Sequence, residues 1–355
     1  MDQRPARARQ LGVEFGGFTS GASNAITDVP GVAVGHATLT EGADIRTGVT
    51  AIVPAQVMAA GAQCAAAVAV GNGYGKLVGA TQVAELGSIE TPILLTATLS
   101  TFRVADALVE YLLARPGYEA IQSINPVVGE TNDGFLSDIR ARPLRYEHVA
   151  AAIDGAAGGP VAEGAVGAGT GTTALGFKAG IGTSSRVLAG QAAPVTVGTL
   201  VQANFSGTLT VMGVPIPSDV VLARTGGDAA AGQHDERAGN SCVIVVATDA
   251  PLDARQLSRV ARRALAGLAR TGSDFAGGSG DYAIAFSTAP PGERVQPDAD
   301  LDPVFRATIS AVEEAILNSL FMARTTTGYR GHVRYAVPHD RVRRACATAM
   351  SRVSG

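Results

Sequence analysis

The sequence changes character most abruptly at Gly239-Asn240-Ser241-Cys242-Val243-Ile244-Val245-Val246-Ala247-Thr248. Before this point, residues 224–240 are polar and glycine-rich, which is typical of a mobile loop. From Ser241 onward the chain is almost continuously apolar and rich in β-branched residues, which predicts a fully buried strand. A strand of this kind needs further layers above and below it, so the segment points to a layered α/β protein.

Further segments predict the other layers. Alternation at 32–38 and apolar runs elsewhere predict strands, the latter at 50–53, 65–70, 93–98, 194–202, 208–215 and 282–286. Apolar residues at helical spacing predict helices at 102–113, 146–153, 257–268 and 305–322. Residues 125–134 read as a polar, turn-rich segment. This mixed order contains no repeat or linker, so it predicts a single α/β domain over 1–355, built as a layered sandwich.

Composition excludes several classes of protein. The 28 Lys and Arg residues against 31 Asp and Glu give a net charge of −3, which excludes a strongly basic nucleic-acid binder. Trp is absent and aromatic residues make up 5%, so base-stacking platforms are poorly supplied. With 46% hydrophobic and 17% charged residues the chain is not disordered, and it lacks the long apolar run of a transmembrane helix.

The cysteine pattern bears on compartment and metal binding. Cys64, Cys242 and Cys346 are far apart and form no CxxC pair, so neither a disulfide framework nor a zinc site is indicated. The first residues are basic and lack the apolar core of a signal peptide. We therefore expect a cytoplasmic protein with no metal and no organic cofactor.

Other familiar motifs are incomplete. GNGYGK at 71–76 lacks the first Gly of a phosphate loop, since position 70 is Val70, and it is followed by Leu77 instead of Ser or Thr. GAGTG at 167–171 has no acidic residue at ribose-binding distance and reads as a close-packed turn. The five histidines are dispersed, and neither HExxH nor GxSxG occurs.

The junction at Ser241 permits two interpretations. A Ser that opens a strand is ordinarily a strand-edge residue. Alternatively, its hydroxyl cuts the bond before it, and the new α-amine then serves as the local base of an N-terminal nucleophile. That arrangement needs no histidine, and strain in a tight Gly239-Asn240 turn would favour the acyl shift.

Nine segments, in order along the chain, carry a resemblance to a known family: NAITDVPGVAVGH (24–36), RTGVTAIVP (46–54), VGETNDG (128–134), 164–186, QANF (202–205), NS (240–241), ATDAPL (247–252), GSGD (278–281) and LNSLFMARTTTG (317–328). They resemble the L-aminopeptidase/D-esterase and β-aminopeptidase family of self-cleaving N-terminal-nucleophile hydrolases. The resemblance implies a four-layer αββα sandwich, N-terminal-nucleophile-like with different connectivity. It also implies cleavage between Asn240 and Ser241 into a large chain, 1–240, and a small chain, 241–355.

The same resemblance implies catalytic roles. Ser241 would be the nucleophile, with Ser279 and Asp281 as its partners, and Asn204 would donate to the oxyanion. A well-known member of the family has Glu where this chain has Asp281, which is one methylene shorter. Glycine-flanked Ser279 is alternatively a loop residue, Asp281 a cap or ion-pair partner, and Asn204 a buried amide with a structural partner.

Glu130 and Asn132 would bind substrate. Glu130 would hold the substrate's free ammonium by a charge-assisted hydrogen bond, and Asn132 stands where some members have Tyr. Alternatively, both stabilise a turn, since Asp133-Gly134 is a typical turn pair.

The implied activity is that of a serine aminopeptidase or amidase, which releases N-terminal amino acids from short peptides, amides or esters. The expected partners are such substrates and copies of the same two-chain unit, as a tetramer, with neither nucleic acid nor membrane. Three alternatives stay open: an acyltransferase like ornithine acetyltransferase, which uses Thr, an endo-amidase that also uses Thr, and an uncleaved non-catalytic relative.

Overall fold

The fold is given by a computed structural model that describes residues 4–189, 194–223, 240–290, 292–293 and 295–354. The longer strands are β1 (Val32–Glu41), β2 (Ile45–Pro54), β3 (Cys64–Gly73), β6 (Ile93–Ala97), β7 (Val127–Thr131), β10 (Ile181–Leu188), β11 (Val195–Asn204), β14 (Asn240–Thr248) and β15 (Ser279–Ser287). The two-residue strands are β4 (Leu77–Val78), β5 (Ser88–Ile89), β8 (Thr173–Ala174), β9 (Phe177–Lys178), β12 (Thr210–Val211), β13 (Val214–Pro215), β16 (Thr326–Thr327) and β17 (Val333–Arg334). The helices are α1 (Ala80–Leu86), α2 (Thr101–Leu113), α3 (Tyr146–Asp154), α4 (Ser218–Ala223), α5 (Ala254–Arg270), α6 (Asp302–Phe321) and α7 (His339–Ser354).

Two sheets carry the architecture. In the larger sheet the strand order is β10-β11-β14-β15-β3-β5, and in the smaller it is β1-β2-β6-β7-β4. Strand β14 is therefore central: it pairs antiparallel with β11 and parallel with β15. The predicted buried strand behind Ser241 is confirmed.

Apolar packing divides the molecule into four layers. One buried cluster joins the larger sheet to α5 and α6, a second lies between the two sheets, and a third joins the smaller sheet to α2 and α3. The resulting order is helices, sheet, sheet, helices, which confirms the four-layer αββα sandwich. Gly182 shows how closely these layers approach, since a Cβ there would stand 1.9 Å from the carbonyl oxygen of Ala315 on α6.

Most predicted elements occur where the sequence places them, with three differences. The interpretation of 125–134 as turn-rich is wrong for Val127–Thr131, because this segment forms the fully buried strand β7 between β6 and β4. The predicted strand at 208–215 is a small hairpin of β12 and β13. Helices α1, α4 and α7 were not anticipated. The predicted loop at 224–240 lies, apart from Asn240, outside the described residues.

Candidate active site

Ser241 is the second residue of β14 and is only 4% exposed. Its hydroxyl accepts a hydrogen bond from the backbone N–H of Gly280 at 3.2 Å, because β15 runs parallel beside β14 with these two residues in register. The same hydroxyl donates to the carbonyl oxygen of Asn240. It therefore lies against the peptide group that was predicted to be cut.

Strand alternation determines which way Ser241 faces. Successive side chains of a strand point to opposite faces, and here Cys242 packs beneath the helices whereas Val243 packs between the sheets. Ser241 therefore points into the layer between the two sheets, on the same side as Val243. That layer is where its reaction partners must lie.

Asn204 shares this face. It is paired directly with Ser241 in the antiparallel ladder of β11 and β14, and paired residues project to the same side of a sheet. Its Oδ1 accepts the backbone N–H of Thr173 at 3.0 Å. Because a backbone N–H can only donate, this bond fixes which end of the amide is oxygen and directs the NH₂ group away from Thr173.

Ser279 and Asp281 lie on the opposite face, with Cys242. The Ser279 hydroxyl donates to Asp281 Oδ1 at 2.8 Å, and both side chains are buried. Burial raises the pKa of Asp281 to about 6, and the hydrogen bond from Ser279 opposes that rise. Among the described residues, neither side chain bonds to the Ser241 hydroxyl. The contact with Ser241 is made by the backbone N–H of Gly280, which lies between Ser279 and Asp281.

Glu130 lies on β7 instead of opening a turn, and is 1% exposed. Its Oε1 accepts the backbone N–H of Lys76 at 2.9 Å, its Oε2 accepts the Thr98 hydroxyl, and the Lys76 ammonium stands 3.8 Å from Oε1. Glu130 Oε1 and Gly280 Cα each lie 3.1 Å from the point that a Cβ on Gly75 would occupy. One glycine thus separates this carboxylate from the residue that contacts Ser241.

Asn132 has a structural contact. Its Oδ1 accepts the backbone N–H of Gly134 at 2.8 Å, which is the geometry of an Asx turn. This contact is the one expected of the turn-stabilising alternative, and within the described ranges no group links the side chain to Ser241. The substrate-binding role of Asn132 stays a prediction.

The sequence analysis overlooked a buried pair, Asp133 and Lys178. Burial raises the pKa of Asp133 to about 7 and lowers that of Lys178 to about 7, and the attraction between the two charges opposes both shifts. The Lys178 ammonium donates to the carbonyl oxygens of Gly169, Thr172 and Ala179, so it holds the turn that presents Thr173 to Asn204. A signal was present, because Lys178 is the only charged residue between positions 164 and 185.

No group of three or more His, Cys, Asp or Glu side chains among the described residues could hold a metal ion. No helix in that part of the chain is both long and apolar enough to cross a membrane. The three cysteines are buried and unpaired.

The chain is similar to known peptidases over most of its length. The model of peptidase family S58 matches residues 24–334. The β-peptidyl aminopeptidase BapA of Sphingosinicella xenopeptidilytica is 43% identical over 364 residues, which cover 95% of this chain and 90% of that protein.

Two solved structures show the same architecture. A β-aminopeptidase from Burkholderia sp. superposes with a TM-score of 0.85 and 38% identity, covering 97% of this chain and 99% of the other. The L-aminopeptidase D-Ala-esterase/amidase of Ochrobactrum anthropi, described as a new variant among the Ntn hydrolase fold, has a TM-score of 0.84 and 36% identity. This match covers 96% of this chain and 98% of the other.

These matches agree with the layers and with the central position of β14. They confirm the predicted fold, an αββα sandwich that is a variant of the Ntn hydrolases. They also favour an aminopeptidase over an acyltransferase, because the three relatives named above are aminopeptidases. The chain belongs to peptidase family S58.

Proposed function

We propose that Ser241 is the nucleophile of this aminopeptidase and that the chain first cuts itself between Asn240 and Ser241. The observation that carries the proposal is the position of the Ser241 hydroxyl, which contacts the Asn240 carbonyl and shares a face with Asn204. Ser241 Oγ attacks the carbonyl carbon of Asn240, its proton passes to the departing nitrogen, and an ester replaces the peptide bond. Water then hydrolyses the ester, which leaves a carboxylate on Asn240 and a free amine on Ser241.

Substrate turnover repeats this chemistry on a second molecule. The free α-amine of Ser241 removes the hydroxyl proton as Oγ attacks the substrate carbonyl. An α-amino group ordinarily has a pKa of about 7.7–8.0. The Asn204 amide and the Gly280 N–H are the candidate donors to the resulting oxyanion. The amine product leaves, and water releases the acyl group from Ser241.

The proposed substrates are short peptides, amides or esters with a free N-terminal amine. Glu130 would hold that ammonium. Two observations support this role: Glu130 is buried, and only Gly75 lies between its carboxylate and Gly280. Since two relatives are named as β-aminopeptidases, we include N-terminal β-amino acids among the substrates.

Two measurements test the function. Intact-mass spectrometry of the denatured protein should show two chains, 1–240 and 241–355, whereas one full-length mass after prolonged incubation would exclude self-cleavage. A panel of p-nitroanilides of β-Ala, L-Ala, D-Ala and Gly should show hydrolysis of the β-Ala substrate. Acetyl transfer from N-acetylornithine to glutamate without hydrolysis of any member of the panel would contradict the proposal.

We further propose a homotetramer of two-chain units in the cytoplasm. Support for assembly comes from exposed apolar side chains beside Lys76, namely Tyr74, Leu99 and Phe102, which are 71%, 45% and 68% exposed. Support for a reducing compartment comes from the three unpaired cysteines. Light scattering that gives a single 35.9 kDa unit would exclude the tetramer, and cell fractionation tests the location.

A further inference from the structure

Asn240, the residue before the proposed cleavage, is held by its side chain. Its Nδ2 donates to the Ser206 hydroxyl at 3.1 Å, and the Ser206 hydroxyl donates to Asp274 Oδ1 at 2.6 Å. Asn240 and Ser206 are 5% and 7% exposed, so these hydrogen bonds are largely shielded from water. A short chain of hydrogen bonds thus joins Asn240 to Asp274.

The anchor at Asp274 is itself fixed in the fold. Asp274 Oδ1 also accepts the backbone N–H of Ala276 at 3.2 Å, and the backbone N–H of Asp274 donates to the carbonyl oxygen of Ser206. Ala276 in turn accepts the N–H of Ser279, the first residue of β15, at 2.8 Å. The side chain of Asn240 is therefore tied to the loop that leads into the strand beside it.

We propose that Ser206 and Asp274 are positioning residues that hold the Asn240–Ser241 peptide for self-cleavage. This inference rests on the self-cleavage proposed above. Among the described residues, neither side chain hydrogen-bonds to Ser241, Ser279 or Asp281, so neither has a role in the proposed turnover. We refer to Ser206 and Asp274 together as the Asn240 clamp.

The physical argument follows from alternation. Asn240 and Ser241 project to opposite faces of β14, so a clamp on Asn240 leaves the face of the attacking hydroxyl clear. The side chain of Asn240 and its carbonyl carbon share one Cα, so immobilising the side chain restricts the rotation that would carry the carbonyl away from Ser241 Oγ. Reactions of this kind depend steeply on such alignment, because a nucleophile must approach its carbonyl within a narrow geometry.

The clamp predicts a separation between two rates. Maturation requires the Asn240 carbonyl to be in place, whereas turnover by mature enzyme attacks the carbonyl of a separate substrate. Loss of the clamp should therefore slow maturation and leave kcat/KM of the matured enzyme unchanged. A residue that only stabilises the fold would lower Tm without separating these two rates.

The test follows maturation of the full-length chain made by cell-free synthesis, with intact mass recorded over time. Ser206→Ala should slow cleavage about 2- to 12-fold, the rate equivalent of one neutral hydrogen bond. Ser206→Thr, which keeps the hydroxyl, should restore much of the rate. Ser273→Ala is the matched control, because the hydroxyl of Ser273 accepts the N–H of Phe275 in the same loop and does not contact Asn240.

A double-mutant cycle shows whether the effect passes through Asn240. Asn240→Ala should slow maturation, and adding Ser206→Ala should slow it no further. Additive losses would overturn the proposal, as would wild-type maturation of Ser206→Ala or an equal fall in kcat/KM of its matured form. Should Ser206→Ala not fold, Asp274→Ala replaces it, because this substitution removes the oxygen that accepts the Ser206 hydroxyl. Normal maturation of Asp274→Ala overturns the clamp. If the wild-type chain is never cleaved, the self-cleavage proposal itself is wrong. If the wild-type chain is cleaved and the variants mature at the same rate, only the proposed role of the clamp is wrong.

Discussion

The two faces of the sheet at the start of β14 differ in what they can do for Ser241. Between the sheets lie Ser241 and Asn204, with the Gly280 N–H donating to the hydroxyl. Beneath the helices lie Asn240 and the hydrogen-bonded pair of Ser279 and Asp281. One strand therefore carries two chemically different regions, separated by the thickness of a single sheet.

Residues that are close in sequence or in strand register can therefore project to opposite faces of the larger sheet. Groups between the sheets can touch the Ser241 hydroxyl and the oxyanion. In the proposed mechanism, groups beneath the helices hold the backbone at Asn240, and after cleavage they would lie beside the new α-amine, which would be in the plane of the sheet. The predictions below test that division, beginning with the largest effect.

Ser241→Ala should abolish both self-cleavage and hydrolysis. The variant loses the proposed nucleophile, and its fold should survive, since one lost hydrogen bond costs about 1 kcal/mol. Intact mass and p-nitroanilide hydrolysis measure the two losses, and Tm serves as the check on folding. Cleavage at the same bond in this variant would show that another group makes the attack.

Asn204→Asp should lower kcat/KM about 10²–10³-fold, which is typical for removal of one oxyanion donor. The substitution keeps an oxygen that can accept the Thr173 N–H, so the structural bond survives. A carboxylate oxygen takes the place of the NH₂ donor and adds a negative charge beside the oxyanion, so the loss should reach the upper part of this range. The contrasting variant is Thr173→Ala, which retains the backbone N–H and should be close to wild type. A similar loss in both variants would place the effect in the turn and not in the amide donor.

Asp281→Asn should lower kcat/KM about 10²-fold above pH 6 and remove part of its dependence on pH. Burial raises the pKa of Asp281 to about 6, so the carboxylate is charged above that pH and becomes neutral as the pH falls. The wild-type rate should fall as the pH drops through about 6, whereas the variant is neutral throughout and lacks that step.

The two pH profiles should therefore converge at low pH. Profiles that stay parallel from pH 5 to pH 8 would show that the charge of Asp281 does not assist Ser241. Ser279→Ala is the companion variant, because it removes the hydrogen bond to Asp281 without removing the charge.

Much of the fold could be predicted from local patterns. Helix α5 has an apolar stripe, and Asp253 caps its N-terminus in a box with Gln256, so its position is determined by nearby residues. Strand β7 escaped prediction because Val127–Thr131 is short and includes Gly129, Glu130 and Thr131. Its burial comes from β4, β6 and α2, which are distant in sequence.

The division of the site between two faces could not be predicted. Strand β14 is apolar on both sides, so its sequence lacks the alternation that identifies a face. The face to which Ser241 projects becomes clear from its pairing with Asn204 and with Gly280. The site residues themselves came from the resemblance, and their catalytic roles stay predictions.

Glu130→Gln should lower kcat/KM for free-amine substrates about 10–100-fold, the rate equivalent of one charged hydrogen bond, about 1.4–2.7 kcal/mol. Glutamine keeps the size of the side chain and can still accept the Lys76 N–H, so the loop at Gly75 should be preserved. Self-cleavage should survive, because maturation involves no substrate amine.

The Glu130→Gln variant also tests whether substrate recognition depends on a residue outside the sheet that contains β14. A buried carboxylate attracts a free ammonium and gains no such partner from an acylated terminus, so it favours free-amine substrates over blocked ones. In Glu130→Gln the preference for β-Ala p-nitroanilide over its N-acetyl form should therefore narrow, mainly through the free-amine substrate. Lys76→Met is the matched control, because it removes the ammonium 3.8 Å from Glu130 and leaves the carboxyl group in place. If Glu130→Gln blocks maturation or leaves free-amine kinetics untouched, Glu130 belongs to the scaffold of the cleavage site and not to substrate recognition.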